Sequence, residues 1–283
     1  MSIRLAAVQP RSASGPEEPA NAAAALDWLA RAADEGADLV VFPEGYPGPV
    51  NPANTHDGLG PLAEAAARHG VHVVASRSAT AGDGRHAVEL HLIDDRGRTA
   101  GVYRRTSPAG PYIYRDIPAW NFDYGEADAP PAVIETRLGR IGMLVCSEVY
   151  VPELSRLLML QGADLIVYPA GGAINELLEG WRTLVAARAI ENLAYTAVCQ
   201  NLYAPDEEGV GLIAGPEGVL AREAGEGMMV ADLDLARLAW LRAEEERIVF
   251  PKPYAAIPGV GRWRRPELYG ALVAPADRDE AAE

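Results

Sequence analysis

The sequence predicts an α/β protein built on two sheets, and three observations carry that prediction. Short apolar runs suited to strands alternate with stretches of helical periodicity along most of the 283 residues. The segment Gly36-Ala37-Asp38-Leu39-Val40-Val41-Phe42-Pro43-Glu44-Gly45 returns nearly unchanged as Gly162-Ala163-Asp164-Leu165-Ile166-Val167-Tyr168-Pro169-Ala170-Gly171. Each copy is a helix-ending glycine feeding a buried strand that stops at proline, so a duplicated architecture puts the two strands at equivalent places in two sheets. The composition, 49% hydrophobic and 23% charged, supplies ample core material. Length alone leaves one large domain or two small ones open.

The elements follow in order. Residues 3–8 alternate as a strand, and 17–35 carry an alanine-rich helical period, with Leu26 and Leu29 on one face and Gly36 as the stop. Residues 39–42 form an unbroken apolar strand. A Gly/Pro/Asn loop covers 45–54, and a helix lies around 61–69. Strands at 71–76 and 86–94 flank the turn residues Gly82-Asp83-Gly84, and the turn at 95–98 leads to a strand over 99–104. An aromatic-rich loop of functional rather than disordered character spans 107–131. A strand at 141–145 then enters a helix reaching about Gln161, followed by a strand at 165–168 and a helix over 179–192. Strands at 195–200, 209–214 and 228–232 close the series. We read residues 1–275 as a single domain whose last part, 244–275, is an extended arm. Residues 276–283 read as a disordered acidic tail.

Charge and motif exclusions narrow the function. A formal net charge of −15 disfavours nucleic-acid binding, which relies on Lys and Arg neutralising phosphates. No apolar run approaches membrane-spanning length, and the first ten residues do not read as a signal peptide, so a cytoplasmic location is expected. Two cysteines, Cys146 and Cys199, do not make a disulfide framework, and the five histidines show no metal-ligand spacing. No glycine-rich turn matches a phosphate-binding or dinucleotide fingerprint, so no cofactor is implied.

Chemistry concentrates at two strand ends. Cys146 follows the apolar run Ile141-Gly142-Met143-Leu144-Val145 and precedes Ser147-Glu148-Val149-Tyr150-Val151-Pro152 and a helix. A thiol facing the first turn of a helix is expected to ionise readily, because unpaired N–H groups stabilise the thiolate and a developing oxyanion. Glu44 ends the other run, and its duplicate is Ala170. The turn therefore does not need a carboxylate, which favours a chemical role for Glu44. Cys199, inside Tyr195-Thr196-Ala197-Val198, reads as a core thiol. Tyr46, Tyr112, Trp120, Tyr150, Ala170 and Trp181 are candidate walls of a substrate pocket.

An ordered series of motifs resembles the nitrilase superfamily of carbon–nitrogen hydrolases. It comprises Phe42-Pro43-Glu44, Tyr103-Arg104-Arg105, Gly142 to Glu148 followed by Pro152-Glu153, and Trp181-Arg182 with Ala187-Arg188-Ala189-Ile190-Glu191-Asn192. Gly211-Leu212-Ile213-Ala214-Gly215-Pro216-Glu217-Gly218 and Arg265-Pro266-Glu267-Leu268-Tyr269 complete it. The resemblance implies a four-layer α-β-β-α sandwich of two packed mixed sheets and a Glu-Lys-Cys triad. It makes Glu44 the general base and Cys146 the nucleophile that forms a thioester, with the Ser147 N–H as oxyanion donor. It places Asp116 near the position of an accessory carboxylate. Glu148 either positions substrate or water beside the thiol or favours the first helical turn. The resemblance also implies a homodimer or larger homo-oligomer, with the arm as an intersubunit contact.

The departure from the pattern is Arg105, which stands where the family lysine is expected. Arginine supplies a permanent charge and a planar fork of donors but does not readily release a proton. Arg104 does not replace it, because adjacent strand residues face opposite sides. Lys252, the only lysine, lies in the arm. The expected function is a hydrolase acting on a small amide, carbamoyl compound or nitrile. The alternatives are an impaired member that binds a ligand or partner, and an acyltransferase using the same thioester.

Overall fold

A computed structural model describes residues 1–50, 54–80, 86–107, 130–172, 175–243 and 264–274. The strands in chain order are β1 (Ser2–Gln9), β2 (Leu39–Val41), β3 (His72–Thr80), β4 (His86–Ile93) and β5 (Thr99–Arg104). Next come β6 (Ile134–Thr136), β7 (Gly139–Met143), β8 (Leu165–Ala170), β9 (Tyr195–Gln200), β10 (Leu212–Gly215), β11 (Gly218–Arg222) and β12 (Gly227–Asp234). They form two six-stranded mixed sheets, ordered β12-β1-β2-β3-β4-β5 and β11-β10-β9-β8-β7-β6.

The duplication read from the sequence is present down to individual bonds. β2 lies parallel between β1 and β3, and β8 lies parallel between β7 and β9. The Asp38 carboxylate accepts from Arg4 N at 2.9 Å, and Asp164 accepts from Arg140 N at 3.0 Å. The carbonyls of the same two aspartates accept from His72 N and Tyr195 N, both at 2.9 Å. Strands covered on both faces must be apolar throughout, which explains why β2 and β8 are uninterrupted runs rather than alternating ones.

Helices α1 (Ala20–Asp34) and α2 (Leu59–His69) cover the outer face of the first sheet. Ala25, Trp28, Leu29 and Ala32 of α1 recur at helical spacing and pack with Val40 and Val73 in a separate outer core. Helices α3 (Pro152–Leu160) and α4 (Leu178–Asn192) cover the second sheet, whose core is continuous with the layer between the sheets. Leu5, Leu39, Val41 and Leu90 meet Ile141, Met143, Val167 and Ala197 in that middle layer. The architecture is therefore the four-layer α-β-β-α sandwich.

Two strands and two short helices of the described residues were not read from the sequence. β6 and β11 are short edge strands with half-exposed patterns, too weak to register as period-two runs. Helix α5 (Leu235–Arg242) follows β12 directly, capped by the Asp234 side chain accepting from Ala236 N and Arg237 N. Of the expected arm, residues 264–274 form a single 3-10 turn at Pro266–Leu268 and α6 (Gly270–Val273), and the tail 276–283 lies outside the described residues. Among the described residues no helix is long and apolar enough to cross a membrane.

Candidate active site

Glu44 sits in the turn after β2, where Gly45 takes the positive φ of +68° that lets the chain reverse. Both halves of the molecule fix it. Its Oε1 accepts from Arg105 Nη1 at 2.8 Å, and its Oε2 accepts from the Gly171 N–H at 2.8 Å. Its backbone carbonyl accepts from Asn201 Nδ2 at 2.8 Å, and Asn201 is held in turn by the Ser12 hydroxyl at 2.7 Å. A Cβ on Gly171 would lie 2.9 Å from Glu44 Oε2, so only glycine lets the backbone approach the carboxylate this closely. Sequence reasoning missed Gly171, Asn201 and Ser12, although the internal repeat marks Gly171 as the duplicate of Gly45.

Cys146 leaves β7 through extended residues and takes φ = +53°, an uncommon value for a residue with a side chain. A 3-10 turn, Cys146–Tyr150, then passes into α3. This sharp elbow brings the thiol close enough to the Glu44 carboxylate and the Gly171 N–H for both to act on it. The expectation of a readily ionised sulfur is corrected here. Burial and then the Glu44 charge push the thiol up to about 12, and Arg105 and the Gly171 N–H only partly oppose them. The resting site therefore holds a neutral thiol beside a base. Cys199 is wholly buried between the sheets, with its thiol toward the Val41 carbonyl at 3.5 Å, and both cysteines are free.

Arg105 continues the β5 ladder, its N–H donating to the Val88 carbonyl at 3.0 Å. Its side chain is only 2% exposed and points into the site, which excludes a surface-charge role. One end of its fork donates to Glu44 and the other donates to Ser147 Oγ at 2.6 Å. Arg104 points the opposite way, donating to Glu89 at 3.1 Å, as strand alternation requires.

Glu148 resolves between its two readings. It is fully buried, and Oε1 accepts from Tyr103 OH and Thr106 N at 2.8 Å, Thr106 Oγ1 at 2.9 Å and Ser107 N at 2.8 Å. Oε2 accepts from Val145 N at 2.7 Å. The carboxylate thus ties the segment after Arg105 to the residue before Cys146, a capping and stitching role rather than a substrate-facing one.

The pocket walls divide. Tyr150 is 46% exposed, near Cys146, and meets the buried Trp181 edge-on at 5.7 Å. Ala170 is buried next to Gly171. Tyr46 is corrected: it is wholly buried in the outer core against Phe42 rather than lining the site. Tyr203 was not anticipated. It is 52% exposed and lies two residues after the Asn201 amide that holds the Glu44 carbonyl. Asp116, Tyr112, Trp120 and Lys252 lie outside the described residues.

Comparisons with known proteins bear on the family and the fold. The model of the carbon-nitrogen hydrolase family matches residues 4–243. A Pseudomonas protegens protein described as a hydrolase in the pqqF 5′ region is 30% identical over 278 residues, covering 91% of this chain and 89% of that one. N-carbamoylputrescine amidase of Arabidopsis thaliana is 27% identical over 209 residues, 66% of this chain and 64% of the amidase. The match spans less than two thirds of that amidase and only 38% of another curated relative. Among solved structures, a carbon-nitrogen hydrolase from Helicobacter pylori G27 superposes with a TM-score of 0.78 at 20% identity, covering 97% of this chain and 99% of that one.

Proposed function

This chain belongs to the carbon-nitrogen hydrolase family, and on that premise we propose that it hydrolyses a small amide, carbamoyl compound or nitrile through a thioester on Cys146. The observation that carries the reading is the Glu44 carboxylate, held in place by Arg105 and the Gly171 N–H, lying beside the Cys146 thiol. The amidase names borne by several relatives agree with it.

Glu44 takes the thiol proton as sulfur attacks the carbon, so the neutral thiol is converted to a nucleophile only when substrate arrives. Oxygen charge developing on the carbon (nitrogen charge, for a nitrile) is met by the guanidinium of Arg105 and the N–H of Ser147. Protonated Glu44 then gives its proton to the nitrogen, which departs from an amide or carbamoyl compound; a nitrile instead yields a thioimidate, which must add one water before its nitrogen can leave. Ammonia or an amine leaves, and the acyl group stays on sulfur. Water, deprotonated by Glu44, cleaves the thioester and releases the acid. Arginine suffices here because no step asks position 105 to give up a proton.

The test is a screen of small amides, carbamoyl compounds and nitriles for ammonia release, with intact-mass detection of an acyl adduct on Cys146. We expect turnover and a trapped adduct that vanishes in Cys146→Ala. Turnover persisting in that variant would overturn the mechanism. An adduct resolved faster by added amine than by water would point instead to acyl transfer.

A further inference from the structure

We propose that the Ser147 hydroxyl is the positioning residue that makes an arginine workable at position 105, so that Arg105 and Ser147 operate as a pair. The inference rests on the active-site reading above and deepens it.

A guanidinium is a planar fork with separate donors at its two ends, and a buried fork must place both ends on acceptors. Arg105 does so across the sandwich. Nη1 donates to Glu44 at 2.8 Å, and Nη2 donates to Ser147 Oγ at 2.6 Å, with the side chain almost wholly sealed. Glu44 belongs to the turn after β2 of the first sheet, and Ser147 to the elbow after β7 of the second. The two anchors therefore fix the fork's plane and its angle to Cys146. An ammonium is a point charge that needs no such second anchor. Glu148 keeps the pair in register, since it grips Val145 on one side of the elbow and Thr106 and Ser107 just past Arg105. Ser147 thus has two duties at different atoms: its N–H faces the reacting carbon, and its hydroxyl steers the cation.

The test is a double-mutant cycle on the full chain. Ser147→Ala should lower kcat about tenfold, the usual worth of one hydrogen bond to a charged group, with KM moved less than about threefold. Ser147→Thr, which keeps the hydroxyl, should restore most of that loss. In an Arg105→Lys background, Ser147→Ala should change kcat less than about twofold, because the partner fork is gone. An equal loss in both backgrounds, or none in the arginine background, overturns the pairing. Should Ser147→Ala not fold, Ser147→Cys, a poorer acceptor of similar size, carries the same comparison.

A second readout needs no turnover. Alkylation of Cys146 by iodoacetamide should shift to higher pH in Ser147→Ala, as the loosened cation stabilises the thiolate less, and should not shift further when position 105 is already changed. If no compound is hydrolysed but this shift is seen, the functional reading fails while the pairing stands. If hydrolysis occurs and neither readout shows coupling, the pairing alone fails.

Discussion

The ends of β2 and β8 invite direct comparison, because they share a helix-ending glycine, an aspartate that pins the neighbouring strand, an apolar run and a proline. They diverge at the last residue before the turn glycine, Glu44 in one and Ala170 in the other. The neighbouring strands diverge too. Counting six residues on from the matched pair Arg4 and Arg140 reaches Pro10 in the first half and Cys146 in the second. Duplication thus supplies two similar strand ends that face each other across the sandwich. On the proposed mechanism, chemistry arises by making them unlike: the end of β2 contributes the carboxylate, the end of β8 contributes the Gly171 N–H that orients it, and the neighbouring β7 leads to Cys146. Two carboxylates at that meeting point would repel, and two backbone donors would leave no base.

The strongest way to break this asymmetry is to erase it. Glu44→Ala gives the first strand end the residue of the second, and we expect a fold little changed but kcat reduced by about 10³-fold, the range for loss of a general base. Cys146→Ala should remove activity entirely, with the double variant no worse than Cys146→Ala alone, since the two act as one unit. Steady-state kinetics together with circular dichroism decide the matter. Near-normal turnover in Glu44→Ala would show that the duplicated turn, not its side chain, sets the chemistry.

Glu148 sharpens the comparison from the side of stability. Its five donors are drawn from β5, from the segment after it and from Val145 beyond β7, so it joins the two halves beside Arg105 and Cys146. Glu148→Ala strands those donors in a dry site and should cost about 3–5 kcal/mol, seen as a shifted urea midpoint. A loss below about 1 kcal/mol would show that the halves are held without it.

How far the sequence could reach follows from which contacts are local. The duplicated segment exposed the two-sheet plan because each copy carries its stop, strand and turn in one short stretch. β5 and β9 were read to the residue, since each is bounded by clear turn or helix signals. Glu44, Arg105 and Cys146 were found as members of ordered motifs. Their contacts were not: the Ser147 hydroxyl under Arg105 and the Asn201 amide on the Glu44 carbonyl join residues 42 and 157 positions apart. Only packing one sheet on the other brings them together. The thiol's raised pKa was likewise invisible, because it depends on how completely the closed sandwich excludes water.

The two cysteines offer a smaller contrast, between a thiol at a strand end and one inside a strand. Burial raises both above their ordinary value near 9, Cys146 to about 12 and Cys199 further. The unfolded chain ionises its thiols from about pH 8.5, whereas the folded chain keeps them protonated, so the unfolded state binds fewer protons there. This stability is fully present below about pH 8.5 and is lost as pH rises through the folded values. We expect Tm to fall steadily above pH 9, less steeply in Cys146→Ala. Yet iodoacetamide near pH 8 should modify Cys146 alone, because only that thiol has a base beside it. Equal labelling of Cys199 would remove the distinction.

The smallest expected effect separates neighbours in sequence, Arg104 and Arg105, which strand alternation sends to opposite faces. Arg104 meets Glu89 at 3.1 Å on the outer face, where His91 at 3.2 Å and Arg77 at 3.6 Å share the same carboxylate. Those partners, His91 foremost, hold Glu89 at about 2 against the penalty of burial. Its contribution is therefore present above the unfolded carboxylate range near pH 4.5 and is lost as pH falls through about 2. Arg104→Ala removes one of three partners, so the acid fall in Tm should begin at higher pH, with less than about 1 kcal/mol lost at neutrality. Turnover should stay within about twofold of the native enzyme, since nothing on the outer face touches Cys146. A large loss of turnover in Arg104→Ala would mean that the sheet transmits strain from its outer face to the adjacent guanidinium, and the two sides of β5 could not then be treated as independent.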